Sequence, residues 1–260
     1  MSILEKVIIL LDLIENNKKS NNDTNNNEAY VVKTLSDIKK KRERIGFIIY
    51  SKKTVKKIKD YNIKFENDYK NCKNSDKILK DEPYIHRFYY FEKDITKKEN
   101  LENKLLTVIM INPAFASSEN TDGTIENVYK IAKENDYTQF EIINLYSVRM
   151  PKLNKVNELI KTVKNEENTL FINKYIEKIE NNILLAYGKK YCLIKDEKNI
   201  KSILNKLSHK NNQLFAARIN NDGTPTHLSP QNKQYLKNNM DLIPISLYEE
   251  NNKFKVKIRP

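Results

Sequence analysis

The sequence predicts an α/β domain in three layers, a central and mostly parallel four-stranded sheet with helices on both faces, preceded by a basic α/β extension. Three observations predict it. From about Tyr84 onward, four near-continuous apolar runs of strand length alternate with segments whose apolar residues recur at helical spacing. Strands that are apolar on both faces need cover on both faces, which helical crossovers between parallel strands supply. The chain has four glycines, and three of them (Gly123, Gly188 and Gly223) fall just beyond the ends of those runs. Glycine belongs where a backbone turns tightly or approaches a ligand.

Taken in order, Ile3 to Ile14 reads as a short amphipathic helix, with Ile3, Leu4, Val7, Leu10, Leu11 and Ile14 on one side. Asn16 to Asn27 is almost entirely polar and reads as a linker or exposed loop. Between Glu28 and Asp60, eleven Lys/Arg face four Asp/Glu around one strand-like run, Gly46 to Tyr50. Residues 1–80 are therefore expected to be a basic extension or small accessory region, and residues 81–260 the main domain. Arg87 to Phe91 is an aromatic strand-like segment, and Leu105 to Ile111 a continuous apolar strand. A helix over Ile125 to Glu134 carries Ile125, Val128, Tyr129 and Ala132 along one side. Phe140 to Leu145, Ile183 to Tyr187 and Leu214 to Ile219 read as further strands. Thr169 to Ile179 and Ile200 to Leu207 read as the helices between them. The tail, Leu242 to Leu247 and Phe254 to Ile258, is expected to add edge strands or reach back toward the N-terminal region.

Composition bounds the function. Cys72 and Cys192 are the two cysteines, and His86, His209 and His227 the three histidines. Their scatter matches neither a disulfide framework nor the ligand spacing of a zinc or iron–sulfur site. No metal or other cofactor is expected, and a reducing cytoplasm is the expected compartment. The N-terminal apolar stretch is interrupted by Glu5, Lys6 and Asp12 and lacks signal-peptide flanks, and no run reaches bilayer length. A soluble chain is expected. A formal charge of +13 suggests a polyanionic partner, most simply nucleic acid. The abundance of Lys, Asn and Ile is also what A/T-rich codons give, so charge alone does not decide.

In open α/β sheets ligands bind beyond the carboxyl ends of the strands. Those ends carry Asn112-Pro113-Ala114-Phe115, then Thr121-Asp122-Gly123-Thr124 before a helix; Asn144 with Arg149 beyond; Gly188; and Gly223 to Pro230 with His227. Each has a plain structural alternative. Asn112 before proline starts turns, Asn144 can cap the next segment, and Asp122 is well placed as a helix N-cap. His227 can be an ordinary surface histidine. Their convergence on one edge of the sheet raises them together.

Ile111-Asn112-Pro113, Asn144, Leu184-Leu185-Ala186-Tyr187-Gly188-Lys189 and His227-Leu228-Ser229-Pro230 resemble the ordered motifs of the uracil-DNA glycosylase superfamily. Thr121 to Thr124 and Asn144 to Arg149 also resemble a bacterial and phage family catalogued as a domain of unknown function. The resemblance covers roughly residues 84–230. It implies a uracil-DNA glycosylase-like fold and a base-excision enzyme that flips a nucleotide from double-stranded DNA and hydrolyses its N-glycosidic bond without a metal or redox cofactor. Asn112 falls where the superfamily carries its water-activating Asp or Asn, and a neutral Asn only orients water. Asn144 falls where the pyrimidine edge is read, His227 where charge on the leaving base is stabilised, and Ser229 where a phosphate is gripped. Asp122 completes the expected catalytic group. Phe115 is expected to stack on the flipped base, and Arg149, Lys189 and Arg87 to contact DNA with Ser229. Uracil-specific members place a bulky Tyr where this chain has Ala114. The small side chain implies a pocket open to a 5-substituted pyrimidine, and hence a Brig-type antiphage glycosylase acting on bases such as glucosylated hydroxymethylcytosine. Leu228 replaces the usual Pro of the histidine loop. A monomer is expected.

Two alternatives stay open. One is a non-catalytic DNA-binding module that kept the fold, which the missing Asp favours. The other is an N-ribohydrolase acting on free nucleosides or nucleotides, under which the basic surface is idle. Within residues 1–80, Lys39-Lys40-Lys41-Arg42, Lys52-Lys53 and Lys56-Lys57 supply either a phosphate clamp or a solvated helix face.

Overall fold

The chain is described by a computed structural model at residues 30–35, 44–51, 86–94, 104–113, 116, 121–149, 166–189, 197–229 and 240–260. The expected N-terminal helix, the Asn-rich linker, the Lys39–Arg42 cluster, both cysteines, Ala114 and Phe115 lie outside those residues. The described elements are β1 (Tyr30–Thr34), β2 (Arg44–Ser51), β3 (Arg87–Asp94), β4 (Leu105–Met110), α1 (Gly123–Glu134), β5 (Gln139–Asn144), α2 (Glu166–Lys178), β6 (Asn182–Ala186), α3 (Glu197–Ser208), β7 (Leu214–Ala216), β8 (Ile243–Glu250) and β9 (Lys253–Ile258).

The nine strands form one mixed sheet in the order β1-β2-β3-β5-β4-β6-β7-β8-β9. The expectation of a four-stranded sheet is thereby corrected. Four parallel strands, β5-β4-β6-β7, occupy its middle, and antiparallel strands extend it on both sides. The reason lies in the aromatic segments. Phe47 to Tyr50 and Phe88 to Phe91 are buried on both faces, so their backbone groups need lateral partners inside the sheet rather than on an accessory surface. β2 and β1, from the first eighty residues, thus continue the same sheet. The C-terminal tail takes the other edge: β8 pairs with β7, and β9 returns beside β8 through Asn251 and Asn252, whose φ of 50° and 60° suit the tight turn of a hairpin.

Strand alternation sorts the core into two layers. Phe47, Ile49, Tyr89, Phe91, Ile109, Ile143 and Leu185 pack with Phe171, Ile172 and Ile176 of α2 and Ile203, Leu204 and Leu207 of α3. Ile48, Tyr50, Tyr90, Val108, Met110, Ile142 and Ala186 pack with Ile125, Val128 and Ile131 of α1. The expected fourth strand is shorter than its apolar run, because Ile219 leaves the sheet and bridges Pro225 in a turn closed by Thr226 N–H donating to Arg218. No helix among the described residues is long and apolar enough to cross a membrane.

The topology fixes where a crevice opens. From β4 the chain moves to β5 on one side, then crosses back to β6 on the other. The segments leaving β4 and β6 therefore diverge, and a ligand site is expected between them.

Candidate functional site

Asn112 follows β4 by two residues and is half-buried; its Nδ2 donates to the Pro113 carbonyl at 3.1 Å. Asn144 closes β5 opposite Met110 of β4, on the α1 side of the sheet. Its side chain is 1% exposed, and neither its Nδ2 nor its Oδ1 has a hydrogen-bond partner. Leaving one buried amide group unmatched costs about 1–3 kcal/mol. A side chain orphaned at both ends, at the ligand end of a parallel sheet, is a donor–acceptor pair lacking its complement.

His227 reaches the same edge from the opposite direction. After β7 the chain turns through Asn220 to Thr226, held by Asn220 N–H to Thr224, by Thr226 Oγ1 donating to Asn220 at 3.0 Å, and by Thr224 donating to Asp222. It then runs back past β6. Gly188 stands there with φ +73°, and a Cβ at that position would lie 2.9 Å from Cβ of His227. Only glycine lets the two backbones approach so closely. Leu228 is buried in the α1-side core, and its carbonyl accepts from Asn127 Nδ2 of α1 at 2.9 Å. Leu228 thus anchors the segment that carries His227 between sheet and helix. Ser229 is half-buried beside it and Lys189 is exposed after Gly188.

Asp122 has a different position from a free acid. Its Oδ1 accepts from the N–H groups of Thr124 and Ile125 at 2.9 and 3.0 Å, and its Oδ2 from Ala116 N–H at 3.2 Å. It caps α1 and ties the loop after β4 to that helix.

Arg87 and Arg149, expected on the DNA-facing surface, are 3% and 2% exposed. Arg87 N–H donates to Ser147, and its Nη1 donates to the Ala116 carbonyl at 3.0 Å. Its guanidinium lies 5.6 Å from the Tyr90 ring centre, and that of Arg149 lies 5.2 Å from Tyr50. Beside them His86 Nδ1 and Ser147 Oγ share a hydrogen bond of 2.7 Å. Sequence reading missed that both arginines are interior, and it missed the polar network around Glu141. That residue, fully buried at the centre of β5, accepts from Tyr89, from Tyr175 at 2.7 Å and from Thr107 at 2.5 Å. Among the described residues no group of three or more His, Cys, Asp or Glu could hold a metal ion.

The fold is that of an α/β protein whose strand-end segments carry Asn112, Asn144 and His227. Residues 89–228 match a family described as a protein of unknown function, DUF1643. The match spans more than half of the chain, and the chain belongs to that family. Neither a comparison with the curated proteins nor one with the solved structures finds a match.

Proposed function

We propose that the chain is a monofunctional DNA glycosylase, with a uracil-DNA glycosylase-like three-layer fold around its parallel strands, acting on a 5-substituted pyrimidine. The observation that carries the reading is Asn144. A buried carboxamide with donor and acceptor both unmatched has the chemistry of a pyrimidine edge reader. The base, flipped from the duplex, would complete both hydrogen bonds at once.

In the reaction, the electron pair of the glycosidic bond leaves with the base nitrogen while water adds to the sugar C1′. His227 supports the departing base anion, Asn112 orients the water without acting as a base, and the proton that the water loses on bonding to C1′ passes through solvent to the released base anion. Most of the rate then comes from electrostatic support of the oxocarbenium-like sugar and of the base anion. The small side chain of Ala114, where uracil-specific members of the resembled superfamily carry Tyr, favours phage DNA with hypermodified cytosine as substrate and an antiphage role in the cytoplasm. Lys189, Ser229 and the basic residues of the first eighty would track phosphates of double-stranded DNA around a monomer.

One observation favours a second reading, a non-catalytic DNA-binding module. Asp122 spends its carboxylate on backbone N–H groups, and Asn112 is neutral. Incubation with plain, uracil-containing and 5-modified DNA, scored for alkali-labile abasic sites, separates the two. Excision from at least one modified substrate is expected, with Asn112→Ala slower by about 10²- to 10³-fold. Salt-dependent binding with no abasic site on any substrate would leave the binding module.

A further inference from the structure

We infer that Arg87 is a positioning residue of the strand-end site, an interior strut that fixes the segment carrying Asn112 relative to the segment carrying Asn144. Its effect on excision rests on the glycosylase reading; the strut itself does not. The segment after β4 has two fixed points. The first is Ile111, whose carbonyl accepts from Tyr146 N–H at 2.8 Å and so prolongs the β4–β5 pairing past both strands. The second is Ala116, wholly buried in the α1-side core. Its N–H donates to Asp122 Oδ2 at 3.2 Å, and its carbonyl accepts from Arg87 Nη1 at 3.0 Å. Four residues, Asn112 to Phe115, lie between these points. Pro113 restricts its own backbone and that of Asn112 before it. Where Ala116 is held therefore decides where Asn112 can stand.

Arg87 is itself anchored to the segment leaving β5, just beyond Asn144. Its N–H donates to Ser147 at 2.8 Å, His86 bridges Val148, and His86 Nδ1 shares a hydrogen bond of 2.7 Å with Ser147 Oγ. The side chain thus crosses from the exit of β5 to the exit of β4, whereas Asp122 ties Ala116 to α1. Among the described residues the guanidinium has one hydrogen-bond acceptor, the Ala116 carbonyl; it lies 5.6 Å from the Tyr90 ring centre, and its Nε has no acceptor. Burial holds the group below its ordinary value. A buried charge matched so sparely adds little net stability, because its desolvation offsets the bond; what it contributes is a defined geometry. The charge also makes the bond to the carbonyl about twice as strong as a neutral donor would.

The test compares the full-length parent with Arg87→Met and Arg87→Lys. Met keeps the stem and loses every donor, while Lys keeps the charge without the planar fork. Amide hydrogen exchange in the peptide containing Ala116 reads the strut without any reaction. It is expected to be on the order of tenfold faster in Arg87→Met and about threefold faster in Arg87→Lys, with exchange in the parallel strands unchanged. Excision is read on a 5-modified DNA that the parent cleaves. In Arg87→Met kcat is expected to fall about 10²-fold while KM stays within about threefold, and in Arg87→Lys kcat is expected to fall only about tenfold. A group serving stability alone would leave kcat of the folded chain at the parental value. A phosphate contact would instead raise KM and flatten the salt dependence of binding, with kcat intact. Either result, or parental exchange at Ala116 in both variants, overturns the proposal. If Arg87→Met does not fold, parental exchange or parental kcat in Arg87→Lys overturns it in the same way. No excision by the parent on any DNA sinks the glycosylase reading, and exchange at Ala116 still decides the strut.

Discussion

At the scale of single residues, the side-chain amide of Asn144 adds nothing to the fold through hydrogen bonding. Both of its polar atoms are buried without partners, so the protein carries their desolvation without any hydrogen bond in return. Asn144→Leu, close in volume, removes that debt. The variant is expected to be as stable as the parent or more stable by about 1 kcal/mol, read from urea unfolding. Under the proposed glycosylase reading it is also expected to lose base excision, because no donor–acceptor pair would remain to meet a pyrimidine edge. A loss of 2 kcal/mol or more, on the order of a broken buried network, would mean that the amide is a structural group after all.

At the scale of elements, α1 shows how one residue can join a helix to the site. Asp122 caps the helix through Thr124 and Ile125 and holds Ala116 of the preceding loop. Asp122→Ala is expected to lower stability by about 1–2 kcal/mol. Asp122→Asn keeps an accepting oxygen at the cap, and is expected to retain most of the stability and most of any excision rate. A catalytic acid would behave otherwise, with the Asn variant folded and inactive. This role was readable, because an acidic residue just before a periodic apolar run is an N-cap signature. The strands from Leu105 to Leu214 were readable for a similar reason: their apolar runs are short, continuous and bounded by polar turns. Three features were not. Val31 and Val32 of β1 sit among polar residues with too little pattern to mark a strand. Glu141 interrupts an apolar strand, and nothing local says that Tyr89 and Tyr175, remote in sequence, will surround it. Arg87 and Arg149 look like surface charge in one dimension, and only the pairing of β3 beside β5 takes them inside.

At the scale of the whole molecule, the Glu141 network ties β3, β4, β5 and α2 together and gives the fold an alkaline limit. Burial first, and then the charge of Glu141, hold the Tyr89 and Tyr175 phenols well above their ordinary value of 10.0. As pH rises past that value, the unfolded chain releases both protons while the native chain keeps them. The unfolded state then binds fewer protons, so stability falls with pH, by up to about 1.4 kcal/mol per pH unit for each phenol. Below the ordinary value the effect vanishes. Urea midpoints measured between about pH 9 and about pH 11 should fall less steeply in Tyr175→Phe than in the parent, since one of the two protons is gone. Equal slopes would remove the phenols from the account.

The same scale decides how the first eighty residues can be tested. Their basic runs invite deletion as a test of DNA clamping, but β2 lies within the sheet and pairs with β3 along its length. Phe47, Ile48, Ile49 and Tyr50 are each at most 2% exposed, two in each core layer. At about 1.5–3 kcal/mol for each buried side chain, their removal forfeits roughly 6–12 kcal/mol, the size of a domain's entire stability of about 5–15 kcal/mol. It also exposes the partner edge of β3, with Tyr89, Tyr90 and Phe91 beside it. Deleting residues 1–80 is therefore expected to give a chain without a cooperative thermal transition and prone to association, seen by circular dichroism and size-exclusion chromatography. Deleting residues 1–29 removes none of the described strands and is expected to keep the transition. If the longer deletion unfolds at the parental temperature, β2 contributes nothing to the core. If it does not fold, DNA affinity lost on deletion says nothing about a clamp. Charge reversal at Lys39 to Arg42 in the full-length chain then becomes the proper test, with a shallower dependence of binding on salt as the expected result.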